Sequence, residues 1–427
     1  MPSPAPSPSR DRATPLLFTP LRIRDLTLEN RVVVAPMHQY AAVDGFPTDW
    51  HIQNYGRYAA GGFGLVIVES TKVDPRGCGT VGDLGIWDDA FVPALKRIAD
   101  VITLAGSVPA IQLGHSGRKA RTARPWEGGR PLKRSDVPQV SDAWWDRWEL
   151  VAPSAIPADP ASPTPRALTT QEMYDLADMW GHAARRAAQA GFKCVEIHGA
   201  HGFFIHETLS PLANHRTDEF GRDRHHFTRL VATRVRQNFP SHLPVFCRLS
   251  VDDDAGWSPD DSSRLASELK HLGVDVIDCS GGGMTSRPVS SAPVGYGYQV
   301  PYAEKLRRET GIMTMAVGVI VECQQAERIL QEGKADLIAL AREALYNPTW
   351  PMDAARKMGL NGFSTVPPAY GWWLSKRAQV LPSLVTSTAG TGVPPSGGGK
   401  GEVEGKVAES GRSGQSGVSD RSRNTKL

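Results

Sequence analysis

The chain has 427 residues, enough for one large domain or two ordinary ones, and its 40% hydrophobic and 22% charged content is that of a soluble globular protein. A net charge of +3, with the basic residues scattered along the chain, argues against a nucleic-acid-binding surface, and no apolar run is long enough to span a bilayer. The five cysteines, Cys78, Cys194, Cys247, Cys279 and Cys323, show no CxxC spacing, which points to buried free thiols in a reducing, cytoplasmic setting rather than to disulfides or zinc.

Residues 1–14 are Pro/Ser-rich, lack the apolar core of a signal peptide and are expected to be disordered. Residues 16–30 (LLFTPLRIRDLTLEN) read as a hairpin placed before the first core strand. Eight apolar, β-branched runs follow: 31–37 (RVVVAPM), 64–70 (GLVIVES), 108–115 (VPAIQLGH), 194–200 (CVEIHGA), 244–250 (PVFCRLS), 274–280 (VDVIDCS), 313–318 (MTMAVG) and 335–342 (ADLIALAR). Near-continuous apolar runs suit parallel strands buried on both faces. Between them, 89–105 carries Phe91, Leu95, Ile98 and Ile102 at helical spacing. Residues 169–190 open on a capping box (TTQE) and stop at Gly191, 258–272 open on an N-cap serine followed by proline, and 323–331 stop just ahead of Gly333. Eight βα repeats predict an α/β fold, a (β/α)8 TIM barrel over 15–378, with a doubly wound sheet as runner-up, weakened because no GxGxxG follows the first strand. The connections over 117–169 and 202–223 are long enough to be functional. Residues 387–427 are Gly/Ser-rich and expected to be a disordered tail, whose end, Thr425-Lys426-Leu427, loosely resembles a peroxisomal address and gives an alternative to the cytoplasm.

A parallel barrel gathers the C-terminal ends of its strands at one mouth, so those residues are the candidates for chemistry. They include Pro36, Met37, His38 and Tyr40 from the first strand, Ser70 and Thr71 from the second, and Gln112, His115 and Lys119 from the third. The fourth supplies His198, His201 and Phe203, with His206 further along the loop; the fifth supplies Arg248, the sixth Gly281–Gly283, the last two Val317, Gly318, Ala341 and Arg342. Acidic residues are scarce here, which leaves no metal cluster and no glycosidase-type carboxylate pair. Glycine-lined backbone near the last two strands, with Arg342, suits a phosphate, so a phosphorylated cofactor is expected.

In combination, several stretches resemble the Old Yellow Enzyme family of FMN-dependent NAD(P)H oxidoreductases, specifically its bacterial-type xenobiotic-reductase branch. They are 17–37 (LFTPLRIRDLTLENRVVVAPM), GDLGIW (82–87), IQLGHSGRKA (111–120), VAPSAIP (151–157), HGAHGFFIHETLSPLANHRTDEFG (198–221) and ADLIALAREAL (335–345). The resemblance implies that Ala35, Pro36, Met37, His38 and Ser70 line the flavin, with Gln112 at its pyrimidine end and Arg248 at its N1 and O2 edge. It further implies that Val317, Gly318, Ala341 and Arg342 hold the phosphate. His198 and His201 match the pair that polarises a substrate carbonyl oxygen, Tyr40 matches a pocket tyrosine, and Trp372 or Trp373 would close the pocket. The substrate is implied to be a small electron-poor alkene or quinone, the hydride donor NADPH or NADH, and the assembly a homodimer. Three departures from the family pattern stand out. Phe203 occupies the place of the usual proton-donor tyrosine, so alkene reduction is expected to be slowed unless Tyr40, His38 or water supplies the proton; its loss opens an isomerase or desaturase outcome as the alternative to ene reduction, with a non-catalytic FMN-binding barrel as a third reading. His38 stands where this branch has cysteine, and GRDRHHF (221–227) stands where the family tends to have GGSxENR.

Overall fold

A computed structural model describes residues 14–285, 294–360 and 362–380. They fall in one unit, Met1–Gly392; the second unit, Val393–Leu427, the expected tail over 387–427 with Thr425-Lys426-Leu427, and the first thirteen residues lie outside the described residues.

Eight parallel strands close into a barrel in chain order: β1 (Val32–Val34), β2 (Leu65–Lys72), β3 (Val108–Gly114), β4 (Cys194–Gly199), β5 (Val245–Ser250), β6 (Val276–Ser280), β7 (Met313–Ala316) and β8 (Leu337–Leu340). The ring shuts where β8 pairs with β1, Ile338 opposite Val32. Alternate residues serve two cores, as the pleat dictates. Val33, Leu65, Ile67, Ala110, Phe246 and Met315 fill the barrel interior, while Val32, Val34, Val66 and Val68 face the surrounding helices. The predicted hairpin is present, Leu21–Ile23 with Leu26–Leu28, and its Ile23 and Leu28 pack into the interior cluster, so the hairpin closes the N-terminal end.

The main helices between strands are α1 (Asp49–Ala60), α2 (Val92–Leu104), α3 (Thr170–Gln189), α4 (His226–Asn238), α5 (Pro259–His271), α6 (Val300–Thr310), α7 (Cys323–Gln331) and α8 (Trp350–Lys357), with α9 (Pro368–Val380) after the barrel. Thr169 and Glu172 form the capping box read from the sequence, and α3 buries Met173, Leu176, Ala177, Trp180, Ala183, Ala184 and Ala187 on one face. The stretch over 89–105 begins as a single 3-10 turn, Asp89–Phe91, capped by Asp88, before the α-helix proper. Several strand ends differ from the sequence reading, β1 stopping at Val34 and β7 at Ala316 among them, and two matter most for the site: β2 runs two residues further, to Lys72, and β8 stops at Leu340, so that Arg342 instead opens a short helix, Arg342–Tyr346.

Candidate active site

Register sets the floor of the mouth. Gln112 of β3 lies opposite Glu196 of β4, His198 of β4 opposite Arg248 of β5, and Arg248 opposite Asp278 of β6. The Gln112 side-chain amide donates to Glu196 Oε1 at 2.8 Å, and Arg248 Nε lies 3.2 Å from Asp278 Oδ2. Burial pushes Glu196 up to about 8, with Asp278 adding to the rise and Arg248 opposing it, and burial raises Asp278 likewise. Burial thus disfavours the charged form of both carboxyls, and the Arg248 guanidinium beside Asp278 opposes it.

Above this floor the chain leaves β4 through a tight turn in which His201 takes a left-handed conformation, φ +63°. Several contacts hold that turn: the His201 amide donates to Ser250 Oγ at 3.0 Å, and Lys119 Nζ donates to the His201 carbonyl at 2.8 Å and to the Gly283 carbonyl. Gly283 approaches so closely that a Cβ there would lie 2.6 Å from His201 Cα, which is why the glycine-rich end of β6 sits beside the histidine turn. His198 Nδ1 accepts from the Ala200 amide at 3.3 Å, so its proton is on Nε2; His201 Nε2 lies 2.8 Å from Ser280 Oγ. The two rings stand 5.3 Å apart at 84°. Burial depresses both imidazoles well below the ordinary histidine range, and neighbouring positive groups, Arg248 among them, add to the effect, leaving both neutral. His206 does not join them. It is buried in the short helix Phe204–Leu209, accepts from the Gly202 amide at 2.9 Å and lies 3.5 Å from Asp253.

A third group of residues meets at Phe203. Its ring lies 4.9 Å from His198, 6.3 Å from His38 and 5.4 Å from the ammonium of Lys72. The register of β2 against β3 shifts between Val68 and Thr71. Glu69 consequently turns outward, accepting from the Tyr55 hydroxyl of α1 at 3.0 Å, while Lys72 turns into the mouth. The sequence reading missed Lys72 because it ended this strand at Ser70. Lys72 is fully buried, 3.0 Å from His38 Nε2, 3.1 Å from Ser70 Oγ and 3.4 Å from Asp83 Oδ2. Asp83, from the loop after β2, was missed as well.

Ala35 continues β1 by donating to the Leu340 carbonyl at 2.9 Å, and with Val317 and Ala341 it packs into the interior cluster; Pro36 and Met37 follow as irregular chain. Gly318 has φ +118° and its carbonyl accepts from the Gly297 amide. Tyr40, also left-handed (φ +55°), stacks on His38 at 5.3 Å, and burial with nearby Asp83 pushes its hydroxyl up to about 12. His38, Tyr40, Lys119, His201 and Phe203 line one cavity of about 1160 Å³, whose wall includes Arg118–Ala123 and Trp145 from the long connection after β3. Trp372 and Trp373 are 55% and 70% exposed on α9 and pack against each other. No group of three or more His, Cys, Asp or Glu side chains placed to hold a metal occurs among the described residues.

A closed parallel barrel whose mouth brings together imidazoles, an amide and a guanidinium has the layout of a barrel enzyme. The chain belongs to the NADH:flavin oxidoreductase / NADH oxidase family, whose model matches residues 16–361. It is 40% identical over 364 residues to the NADPH dehydrogenase of Geobacillus thermodenitrificans (strain NG80-2), covering 84% of this chain and 98% of that one. Against the NADPH dehydrogenase of Bacillus subtilis (strain 168) it is 39% identical over 363 residues, covering 83% and 99%. Among solved structures it resembles morphinone reductase, with a TM-score of 0.67 at 27% identity over 82% of this chain and 91% of the other. The Old Yellow Enzyme homologue from Zymomonas mobilis gives 0.66 at 27% identity, over 80% and 93%.

Proposed function

We propose that the protein is an FMN-dependent ene-reductase that takes hydride from NADPH and reduces the C=C bond of an enone, enal, quinone or similar electron-poor acceptor. The observation that carries this reading is the neutral His198–His201 pair at the end of β4, with His198 beside Arg248 in register and His201 on the wall of the cavity of about 1160 Å³. A carbonyl oxygen placed between the two rings accepts from His198 Nε2–H and from His201 Nδ1–H, the latter tautomer being fixed when Ser280 donates to Nε2. Two donors aimed where charge develops polarise the conjugated alkene, and neutral donors do so without the cost of a buried cation.

The residues at the mouth fit FMN. Arg248 is paired with Asp278 through Nε but its terminal nitrogens make no hydrogen bond with the described residues, and Arg342 makes neither ion pair nor hydrogen bond among them, which leaves donors for a ring edge and a cation for a phosphate. Gln112 would face the pyrimidine end, Ala35, Pro36, Met37, His38 and Ser70 the ring, and Val317, Gly318, Ala341 and Arg342 the phosphate. When bound, FMN supplies a two-electron carrier between nicotinamide and acceptor. The name shared by the bacterial relatives supports NADPH over NADH as donor. No helix among the described residues is long and apolar enough to cross a membrane, and the cytoplasm fits the five buried free thiols. Exposed Tyr370, Trp372 and Trp373 on α9 support a homodimer, with 15–378 as the functional domain. The purified protein should be yellow, bleach on anaerobic mixing with NADPH, and recover its colour with cyclohexenone. A colourless protein, or reduced flavin that no enone reoxidises, sinks the reading.

A further inference from the structure

Phe203 has no exchangeable proton, yet reduction of an alkene needs one at the α-carbon after hydride has reached the β-carbon. Beside Phe203 the register shift in β2 has brought in a group that the sequence reading did not include. Lys72 is a fully buried ammonium with Asp83 Oδ2 at 3.4 Å, Ser70 Oγ at 3.1 Å and His38 Nε2 at 3.0 Å. Asp83 is held ionised by the Gly79 amide at 2.8 Å and the Thr80 hydroxyl at 2.8 Å, so Lys72 keeps its counter-ion. An ammonium only donates, so His38 Nε2 must accept, and the single proton of the neutral ring is on Nδ1, the edge turned away from Lys72. His38 lines the same cavity as His201, Tyr40 and Phe203.

We propose that His38 is the catalytic proton donor of this enzyme, standing in for the absent phenol at position 203, and that Lys72 is a positioning residue that fixes its tautomer and refills it. The inference rests on the ene-reductase reading above. In the step, the Nδ1–H bond breaks as the α-carbon takes the proton, and a proton passes from Lys72 Nζ to Nε2. His38 thus stays neutral and only exchanges tautomers, Lys72 becomes an amine, and cavity water restores both. The groups facing His38 agree with a neutral ring. Burial, then Lys72, lower its pKa; Asp83 and Glu69 oppose them, and the other titratable neighbours, His198, His201 and Tyr40, are uncharged.

Two measurements on the FMN-loaded enzyme test this. Histidine-selective 15N NMR, with His38 assigned from the His38→Gln spectrum, should show a neutral Nδ1–H tautomer from pH 6 to 8. Lys72→Met paired with Asp83→Asn, which removes both buried charges together, should lose that tautomer preference. An Nε2–H tautomer or an imidazolium at pH 7 overturns the proposal. In the second, NADPH-reduced enzyme is mixed anaerobically with cyclohexenone in H2O and D2O. His38→Gln should slow saturated-product formation about 100-fold, and adding Phe203→Tyr to it should restore at least tenfold, because a phenol then supplies the proton. An unchanged rate in His38→Gln, or no rescue by Phe203→Tyr, overturns it too. A wild-type enzyme that reduces no enone is a different result, visible before any substitution, and overturns the ene-reductase reading on which the proposal stands.

Discussion

At the scale of single residues, the two histidines and the lysine were unequally legible. His198 and His201 announce themselves by a glycine-flanked spacing at the end of an apolar run, and the structure does bring their rings together while leaving His206 in the core. Replacing both with asparagine should weaken binding of a phenolate ligand such as 4-hydroxybenzaldehyde by about 100-fold or more, two charge-assisted hydrogen bonds being involved. Titrating the long-wavelength absorption of the complex measures it, and unchanged affinity would mean that the phenolate sits elsewhere. Lys72 gave no such signal, because its orientation depends on an irregularity in register that local pattern does not encode. Its role in stability can be read separately from its role in chemistry. Lys72→Met leaves the Asp83 carboxylate buried without its cation and should destabilise the protein by about 3–5 kcal/mol. Lys72 and the Thr80 and Gly79 donors outweigh burial and hold Asp83 below its ordinary value. The stabilisation from Asp83 is therefore present above the unfolded value of about 3.9 and lost as pH falls through the lower folded value. Denaturant midpoints at pH 7 and pH 3 should show the penalty of Lys72→Met shrinking in acid; a penalty that does not change with pH would mean the pair contributes no charge interaction.

Elements were most legible where their caps lie in sequence, as with α3, α5 and α7, whose N-caps or terminal glycines bracket an apolar face. Helix α1 (DWHIQNYGRYAA) escaped because the face it buries is polar and aromatic: His51, Asn54, Tyr55 and Tyr58. Its partner is also polar, since His51 and Tyr55 both reach the buried Glu69 that the register shift turned outward. One irregularity in β2 thus explains both an unread helix and an unread site residue. The end of α1 also depends on a contact far along the chain. Gly61 has ordinary right-handed backbone angles, φ −78°, yet a Cβ there would lie 1.8 Å from the Pro348 carbonyl oxygen. Gly61→Ala should consequently destabilise by about 1–3 kcal/mol through overpacking rather than backbone strain. Urea unfolding measures this, and a variant as stable as the wild type would show that the loop carrying Pro348 yields freely.

For the whole molecule, the barrel was readable because a closed parallel sheet demands eight apolar runs, and that requirement outweighs any misplaced boundary. What the pattern could not supply is the charge placed inside. Glu207, on the helix that follows the histidine turn, is fully buried, and among the described residues only one of its oxygens has a hydrogen-bond partner, Oε1 accepting from the Arg118 amide at 2.9 Å. Burial, opposed mainly by Arg118, pushes its carboxyl up to about 8. Here the sign is the reverse of that for Asp83: between about 4.3, the unfolded value, and about 8 the native state holds a proton that the unfolded chain has released, so stability falls as pH rises through this window. Glu196 at the barrel floor acts in the same direction over the same window. Lys119, lowered to about 8 mainly by burial, contributes only above it and with opposite sign, since an unfolded lysine stays protonated to about 10.4. Glu207→Gln keeps an acceptor for the Arg118 amide while removing the titration. The thermal midpoint of the wild type should fall by roughly 5 °C between pH 5 and pH 8 from such a shift, and the variant should lose clearly less over the same range. Parallel midpoint curves for the two proteins would show that Glu207 titrates in the native state as it does in water, and that its burial is compensated by contacts other than the Arg118 amide.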